Sequence, residues 1–78
     1  MKTIQILGTG CSKCLQLGAN AEQAAIKAGI PYKLEKITDL AKIAGMGVMS
    51  TPGLAVDGVV KSTGKLLTPD QIEEILRQ

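Results

Sequence analysis

The sequence has no histidine, tryptophan or phenylalanine, and its only aromatic residue is Tyr32. A hydrophobic interior must therefore be built from aliphatic side chains, chiefly those of valine, isoleucine, leucine and alanine. Cysteine is nearly absent too, because the chain has only Cys11 and Cys14. A closed tetrahedral zinc site takes four protein ligands, whereas one copy of this chain offers two thiolates. Any functional interpretation must therefore begin from this one pair of thiols.

Long apolar runs and clusters of basic residues are also missing. The first ten residues carry a hydrophobic stretch shorter than a signal-peptide core, and no segment reaches the roughly 20 apolar residues of a membrane span. The formal net charge is only +2 and the basic residues are scattered, which argues against nucleic acid as a partner. A chain of 78 residues has room for one domain. We expect a cytoplasmic monomer with a single domain over residues 1–78, without membrane or nucleic-acid partners.

The pattern of apolar residues and turn signals predicts the element order βαβαββα. Predicted strands are KTIQIL, YKLEKI, GLAV and VVKS; predicted helices begin at Ser12, at a cap on Thr38 or Asp39, and at a capping box on Thr68 and Gln71. The Asp57-Gly58 pair is a strong signal for a hairpin between the last two strands. A parallel crossover followed by a hairpin predicts an α/β fold with a mixed four-stranded sheet and helices on both faces.

The two cysteines lie where the first predicted loop becomes a helix. At that point the free backbone N–H groups and the positive end of the helix dipole favour a thiolate on Cys11. Lys13 adds a nearby positive charge, and such surroundings lower the pKa of a thiol. Cys14 is one helical turn deeper, at the head of an apolar stripe, so we expect it to be the more buried thiol. This asymmetry favours thiol–disulfide exchange, with Cys11 as nucleophile and Cys14 as resolving thiol.

Two alternatives to exchange follow from the same spacing. The pair could be a structural crosslink, although a reducing compartment makes that uncommon. It could also bind a soft metal ion such as Cu(I), or a metalloid, since GTGCSKC is similar to the motif of heavy-metal-associated domains. Those domains end with a strand in the order βαββαβ, whereas this chain is predicted to end with a helix. The element order therefore favours redox chemistry; metal binding remains the first alternative, and a non-catalytic partner-binding module is the next.

With Cys-x-x-Cys at the first helix, Thr51-Pro52 before the third strand and the order βαβαββα, the chain resembles the thioredoxin superfamily. Its segments GTGCSKC and GVMSTPGLAVDGVV look like those of the small, glutaredoxin-sized redox-active disulfide proteins of archaea and bacteria. The resemblance implies a protein disulfide oxidoreductase without a cofactor or metal. Its partners would be disulfide-containing protein substrates and an upstream reductase. It also implies that Pro52 is cis and packs beside the disulfide, leaving the backbone of Thr51 free to pair with an extended substrate segment.

The chain departs from this family in two places. Gly10 precedes Cys11, where thioredoxins proper carry a tryptophan, and the strand TIQIL lacks their buried aspartate. The segment KSTGKL stands where glutaredoxins carry a Gly-Gly and acidic stretch that binds glutathione. We therefore interpret Gly64 as a turn residue. Asp57, in the hairpin signal, is interpreted as only a turn former.

The apolar residues before the third predicted strand allow two interpretations. Met46, Val48 and Met49 are expected to form either an adaptable apolar rim around the site or part of the core.

Overall fold

The computed structural model describes residues 2–77, which fold in the order βαβαββα. The strands are β1 (Lys2–Leu7), β2 (Tyr32–Ile37), β3 (Gly53–Val56) and β4 (Val59–Thr63), and the helices are α1 (Ser12–Ala28), α2 (Leu40–Gly45) and α3 (Pro69–Leu76). The predicted fold class is confirmed. No helix within residues 2–77 is long and apolar enough to span a bilayer.

The sheet brings the loop before α1 and the loop before β3 to the same edge. Its strand order is β2-β1-β3-β4, with β1 parallel to β2 and antiparallel to β3. The last residue of β1, Leu7, therefore pairs with the first residue of β3, Gly53. Because one strand ends where the other begins, the segment after Leu7 and the segment before Gly53 must lie side by side.

The larger core lies between one face of the sheet and the helices α1 and α3. It is entirely aliphatic, as the shortage of aromatic residues predicted; its buried members are Ile4, Ile6, Leu17, Ala21, Ala24, Ala25, Leu54, Val56, Ile72 and Leu76. Three of the buried residues of α1 are alanines, which leave little side-chain volume between this helix and its neighbours. Such small side chains allow α1 to pack closely, and all three are fully buried.

A smaller core covers the opposite face of the sheet, where Leu7, Ile43, Val48 and Ala55 are buried together. Helices therefore lie on both faces, as predicted. The segment before β3 was expected to form either an apolar rim or part of the core, and its residues differ in this respect. Val48 is buried in this core and Met46 packs against it, whereas Met49 is 91% exposed.

Helix α3 begins with the predicted capping box. The Thr68 hydroxyl accepts a hydrogen bond from the Gln71 N–H at 3.2 Å, and the Gln71 side chain accepts one from the Thr68 N–H at 2.9 Å. Pro69 occupies the first turn, where its missing N–H costs nothing. The helix then buries Ile72 and Leu76 against α1 and the sheet.

The hairpin between β3 and β4 forms as predicted, but Asp57 does more than form the turn. It has a positive φ of 52°, and its carboxylate accepts a hydrogen bond from the Thr3 N–H at 2.9 Å. Its own N–H donates to the Thr3 carbonyl at 2.8 Å. The hairpin tip is thereby bonded to β1, a long-range contact that the local turn signal could not reveal.

The packing of α1 gives a matched pair of variants for testing the core. Leu17 is 0% exposed, whereas Leu15 is 57% exposed two residues earlier on the same helix. Leu17→Ala should lower the free energy of unfolding by about 2–5 kcal/mol, because it removes buried methyl groups and leaves a cavity. Leu15→Ala should change it by less than about 0.5 kcal/mol. Urea denaturation of both variants measures the difference, and equal losses would contradict the burial of Leu17 in the larger core.

Candidate active site

Cys11 is the N-cap residue of α1. Its backbone is extended, with φ −66° and ψ 166°, and its Sγ accepts a hydrogen bond from the Cys14 N–H at 3.3 Å. Its carbonyl oxygen accepts the first helical bond, from the Leu15 N–H at 3.0 Å. A sulfur therefore takes the place that a serine or aspartate oxygen commonly occupies at an N-cap. As a result, an exposed thiol faces the positive end of the helix dipole.

Cys14 lies in the first turn of α1 and faces inward. It is only 5% exposed, whereas Cys11 is exposed. The difference in burial that the sequence predicted is therefore present. It follows from the helical stripe itself, since Cys14 begins the row of inward-facing positions that continues through Leu17 and Ala21.

The two thiols differ in acidity as well as in exposure. The Cys14 side chain and then the Cys14 backbone N–H, both hydrogen-bonded to the Cys11 sulfur, lower the pKa of Cys11. Burial, followed by the hydrogen bond with Cys11, raises the pKa of Cys14. Lys13 contributes to the lowered pKa of Cys11 through its backbone N–H. The further effect expected from the side-chain charge of Lys13 stays a prediction.

The segment before β3 completes the site. Its Thr51–Pro52 peptide bond is cis, Pro52 is fully buried, and Thr51 is exposed. Gly8, the residue after β1, lies between this segment and the cysteines. A Cβ atom placed on Gly8 would be 3.8 Å from the Thr51 Cβ and 2.3 Å from the Cys14 Sγ. The fold thus brings Cys14, Gly8 and Thr51 together from separate parts of the chain.

Gly64, which follows β4, also contacts the segment before β3. Its N–H donates a hydrogen bond to the Pro52 carbonyl at 2.8 Å, and its φ is 67°. A Cβ atom there would come within 3.0 Å of the Ser50 Cβ. Gly64 therefore does more than turn the chain. Sequence reasoning missed this contact because a glycine after a strand is the ordinary signal for any turn.

Sequence reasoning also missed the proximity of Gly8 to the thiols. The GTG cluster indicated only that a strand ends there. What distinguishes Gly8 from Gly10 is tertiary: Gly10 has a φ of 91° and no atom within 4 Å of the position of a Cβ, whereas Gly8 faces the Cys14 sulfur. No local pattern separates these two glycines, since they stand two residues apart in the same loop.

Neither a buried carboxylate nor a cluster of metal ligands accompanies the thiols within residues 2–77. No polar or charged residue among residues 2–77 is buried, so Cys14 has no buried carboxylate beside it, as the sequence of β1 predicted. Nor do three or more His, Cys, Asp or Glu side chains in this described part of the chain lie together as a set of metal ligands.

A mixed α/β sheet whose first helix carries an exposed N-cap thiol and a buried second thiol one turn deeper is typical of the class of dithiol redox proteins. Comparison of the whole chain specifies the family. Residues 2–77 match the thioredoxin domain family. The chain is 42% identical over 76 residues to a thioredoxin of Methanothermobacter thermautotrophicus, covering 97% of this chain and 99% of that protein. It is 40% identical over 77 residues to a thioredoxin of Methanocaldococcus jannaschii, covering 99% and 88%.

This chain therefore belongs to the thioredoxin family and is a protein disulfide oxidoreductase. The resemblance drawn from its motifs is confirmed over nearly its full length.

The different environments of the two thiols predict the order in which they react. At neutral pH, brief treatment with iodoacetamide should modify Cys11 well before Cys14, because Cys11 is exposed with a lowered pKa and Cys14 is buried with a raised one. The thiolate is the reacting form, so the rate for Cys11 should reach half its maximum at a lower pH than for an ordinary cysteine. Peptide mass mapping measures both rates.

The same protein unfolded in urea is the control, since both cysteines should then react at similar rates. Equal labelling in the folded protein, or faster labelling of Cys14, would contradict the assignment of the more reactive thiol.

Proposed function

We propose that this protein exchanges its Cys11–Cys14 dithiol with disulfides of protein substrates, Cys11 acting as nucleophile and Cys14 as resolving thiol. The observation that carries the proposal is the pairing of an exposed thiol at the N-cap of α1 with a buried thiol one turn deeper. The name thioredoxin borne by two archaeal relatives supports it.

In the first step, the Cys11 thiolate attacks one sulfur of the substrate disulfide. A bond forms between the Cys11 Sγ and that sulfur, and the substrate S–S bond breaks. The other substrate sulfur leaves as a thiolate and takes a proton from solvent. Cys11 suits this role because its sulfur is exposed and its pKa is lowered by the hydrogen bonds from Cys14.

In the second step, Cys14 gives its proton to solvent and attacks the Cys11 Sγ as a thiolate. The Cys11–Cys14 disulfide forms, the mixed disulfide breaks, and the remaining substrate thiolate leaves. Two electrons have then passed from the protein dithiol to the substrate disulfide. Cys14 suits this role because it is almost fully buried and cannot reach a bulky substrate, yet it lies next to Cys11.

Thr51 and Pro52 are proposed to hold the substrate. Thr51 is exposed beside Gly8 and the cysteines, so its backbone is available to pair with an extended substrate segment. Met49, also exposed, precedes it and offers a flexible apolar side chain to such a segment. The side-chain charge of Lys13 is proposed to favour the Cys11 thiolate further.

The wider setting is proposed on the same basis. The protein would act as a cytoplasmic monomer, one domain over residues 1–78, without a cofactor. An upstream reductase would return the Cys11–Cys14 disulfide to the dithiol, because each turnover oxidises the pair.

The proposed order of events predicts different outcomes for two cysteine variants. Cys14→Ser should accumulate mixed disulfides between Cys11 and partner proteins, because the first step can occur and the second cannot. Cys11→Ser should accumulate few or none, since the remaining thiol is buried. Each variant is expressed in its host, quenched with acid, and compared for reducible high-mass adducts on a non-reducing gel.

The doubly substituted Cys11→Ser/Cys14→Ser protein is the control for adducts that do not involve these thiols. Adducts of equal abundance from both single variants would contradict the assigned roles. If neither variant forms adducts and the reduced protein binds Cu(I) tightly and stoichiometrically, a soft-metal site would be favoured instead.

A further inference from the structure

We infer that Gly8 is a positioning residue for the resolving step: the absence of a side chain at this position provides the space that the Cys14 sulfur occupies. The inference rests on the proposed function, because it concerns the step in which Cys14 attacks Cys11.

The space left by Gly8 is filled by the resolving thiol. A Cβ atom built on Gly8 would lie 2.3 Å from the Cys14 Sγ and 3.2 Å from the Cys14 Cβ. Non-bonded heavy atoms are most stable at about 3.5–4.0 Å. With alanine at position 8, the new Cβ and the Cys14 Sγ would have to move apart by about 1.2 Å to reach the lower end of that range.

Backbone conformation does not explain the glycine. The φ of Gly8 lies outside the left-handed region, unlike the φ of Gly10, which is 91°. The Gly8 N–H donates to the Ile37 carbonyl at 3.0 Å, which continues the pairing of β1 with β2 by one residue. Alanine can adopt a φ outside the left-handed region without strain. The conflict that alanine introduces is therefore with the Cys14 side chain.

The displaced sulfur has few alternatives. Cys14 is almost fully buried, and its side chain can leave its position only by rotating about χ1 to another staggered well or by moving the first turn of α1. Rotation about χ1 moves the Cys14 Sγ relative to Cys11 but leaves the bond from the Cys14 N–H to the Cys11 sulfur in place. The position of the Cys14 Sγ relative to Cys11 is thus coupled to the absence of a side chain on Gly8.

This coupling matters in one of the two chemical steps. The attack on a substrate disulfide involves the exposed Cys11 sulfur, with which a Cβ on Gly8 makes none of its closest contacts. The resolving attack needs the Cys14 Sγ aligned with the mixed disulfide at Cys11, and a misplacement of about 1 Å can slow a reaction by up to about a hundredfold. Gly8 should therefore affect the second step much more than the first.

The aromatic disulfide dithiobis(nitrobenzoate) separates the two steps. Cys11 attacks it and releases one coloured thionitrobenzoate at a rate proportional to the reagent concentration. Cys14 then attacks the mixed disulfide, closing the Cys11–Cys14 disulfide and releasing the second thionitrobenzoate at a rate independent of that concentration. Stopped-flow absorbance resolves both releases in the wild-type protein and in Gly8→Ala.

We expect Gly8→Ala to slow the second release at least about tenfold and to change the first by less than about threefold. Gly45→Ala is the matched control, because Gly45 also lacks a positive φ and has no atom within 4 Å of its Cβ position; it should leave both rates unchanged. A merely structural role for Gly8 would lower the free energy of unfolding without separating the two rates. Equal rates in Gly8→Ala and wild type, or equal slowing of both releases, would overturn the inference.

If Gly8→Ala does not fold, the double variant Gly8→Ala/Cys14→Ala decides the matter. Recovery of folding in the double variant supports the inference, since removing the sulfur removes the 2.3 Å conflict. Failure of the double variant to fold overturns it.

The proposed function is tested separately by Cys14→Ser, which should release one thionitrobenzoate only. A second release from that variant at a rate independent of the reagent concentration would contradict the exchange mechanism, whatever the result for Gly8→Ala.

Discussion

The hydrogen bond from the Cys14 N–H to the Cys11 sulfur links the fold of this protein to its chemistry. A helix must satisfy the free N–H groups of its first turn, and here a thiol takes the place of a hydroxyl or carboxylate. The bond holds one sulfur at the positive end of α1, where the Cys14 side chain and then the Cys14 N–H lower its pKa by hydrogen bonding. The same helix buries the second sulfur one turn later, which raises its pKa. Two cysteines with the same chemistry thereby become unlike groups.

The antiparallel pairing of Leu7 with Gly53 determines which segment of the chain lies next to the two thiols. The antiparallel register brings the end of β1 to the beginning of β3, so the cysteine loop and the segment containing Pro52 lie side by side. Two glycines allow this closeness for different reasons. Gly8 leaves room for the Cys14 sulfur, whereas Gly64 adopts a positive φ and donates its N–H to the Pro52 carbonyl.

Sequence reasoning succeeded where the signals are local. The helix α1 from Ser12 to Ala28, the capping box of Thr68 and Gln71, and the Asp57-Gly58 hairpin are all present, since caps, turns and apolar periodicity act over a few residues. It was incomplete for Asp57, which is bonded to Thr3 of a strand far away in the chain. It also left open whether the loop before β3 was rim or core, because an apolar loop residue suits both.

The sequence by itself determined the order of the elements, the aliphatic character of the core and the position of both cysteines at the start of a helix, because periodicity and capping are properties of neighbouring residues. It also indicated the family, through two motifs and the order of the elements around them. Only the tertiary structure decided which glycines touch the site and which side of the loop before β3 is buried. Those contacts depend on the strand register and on the approach of α1 to the sheet, which are set by packing among residues distant in the chain.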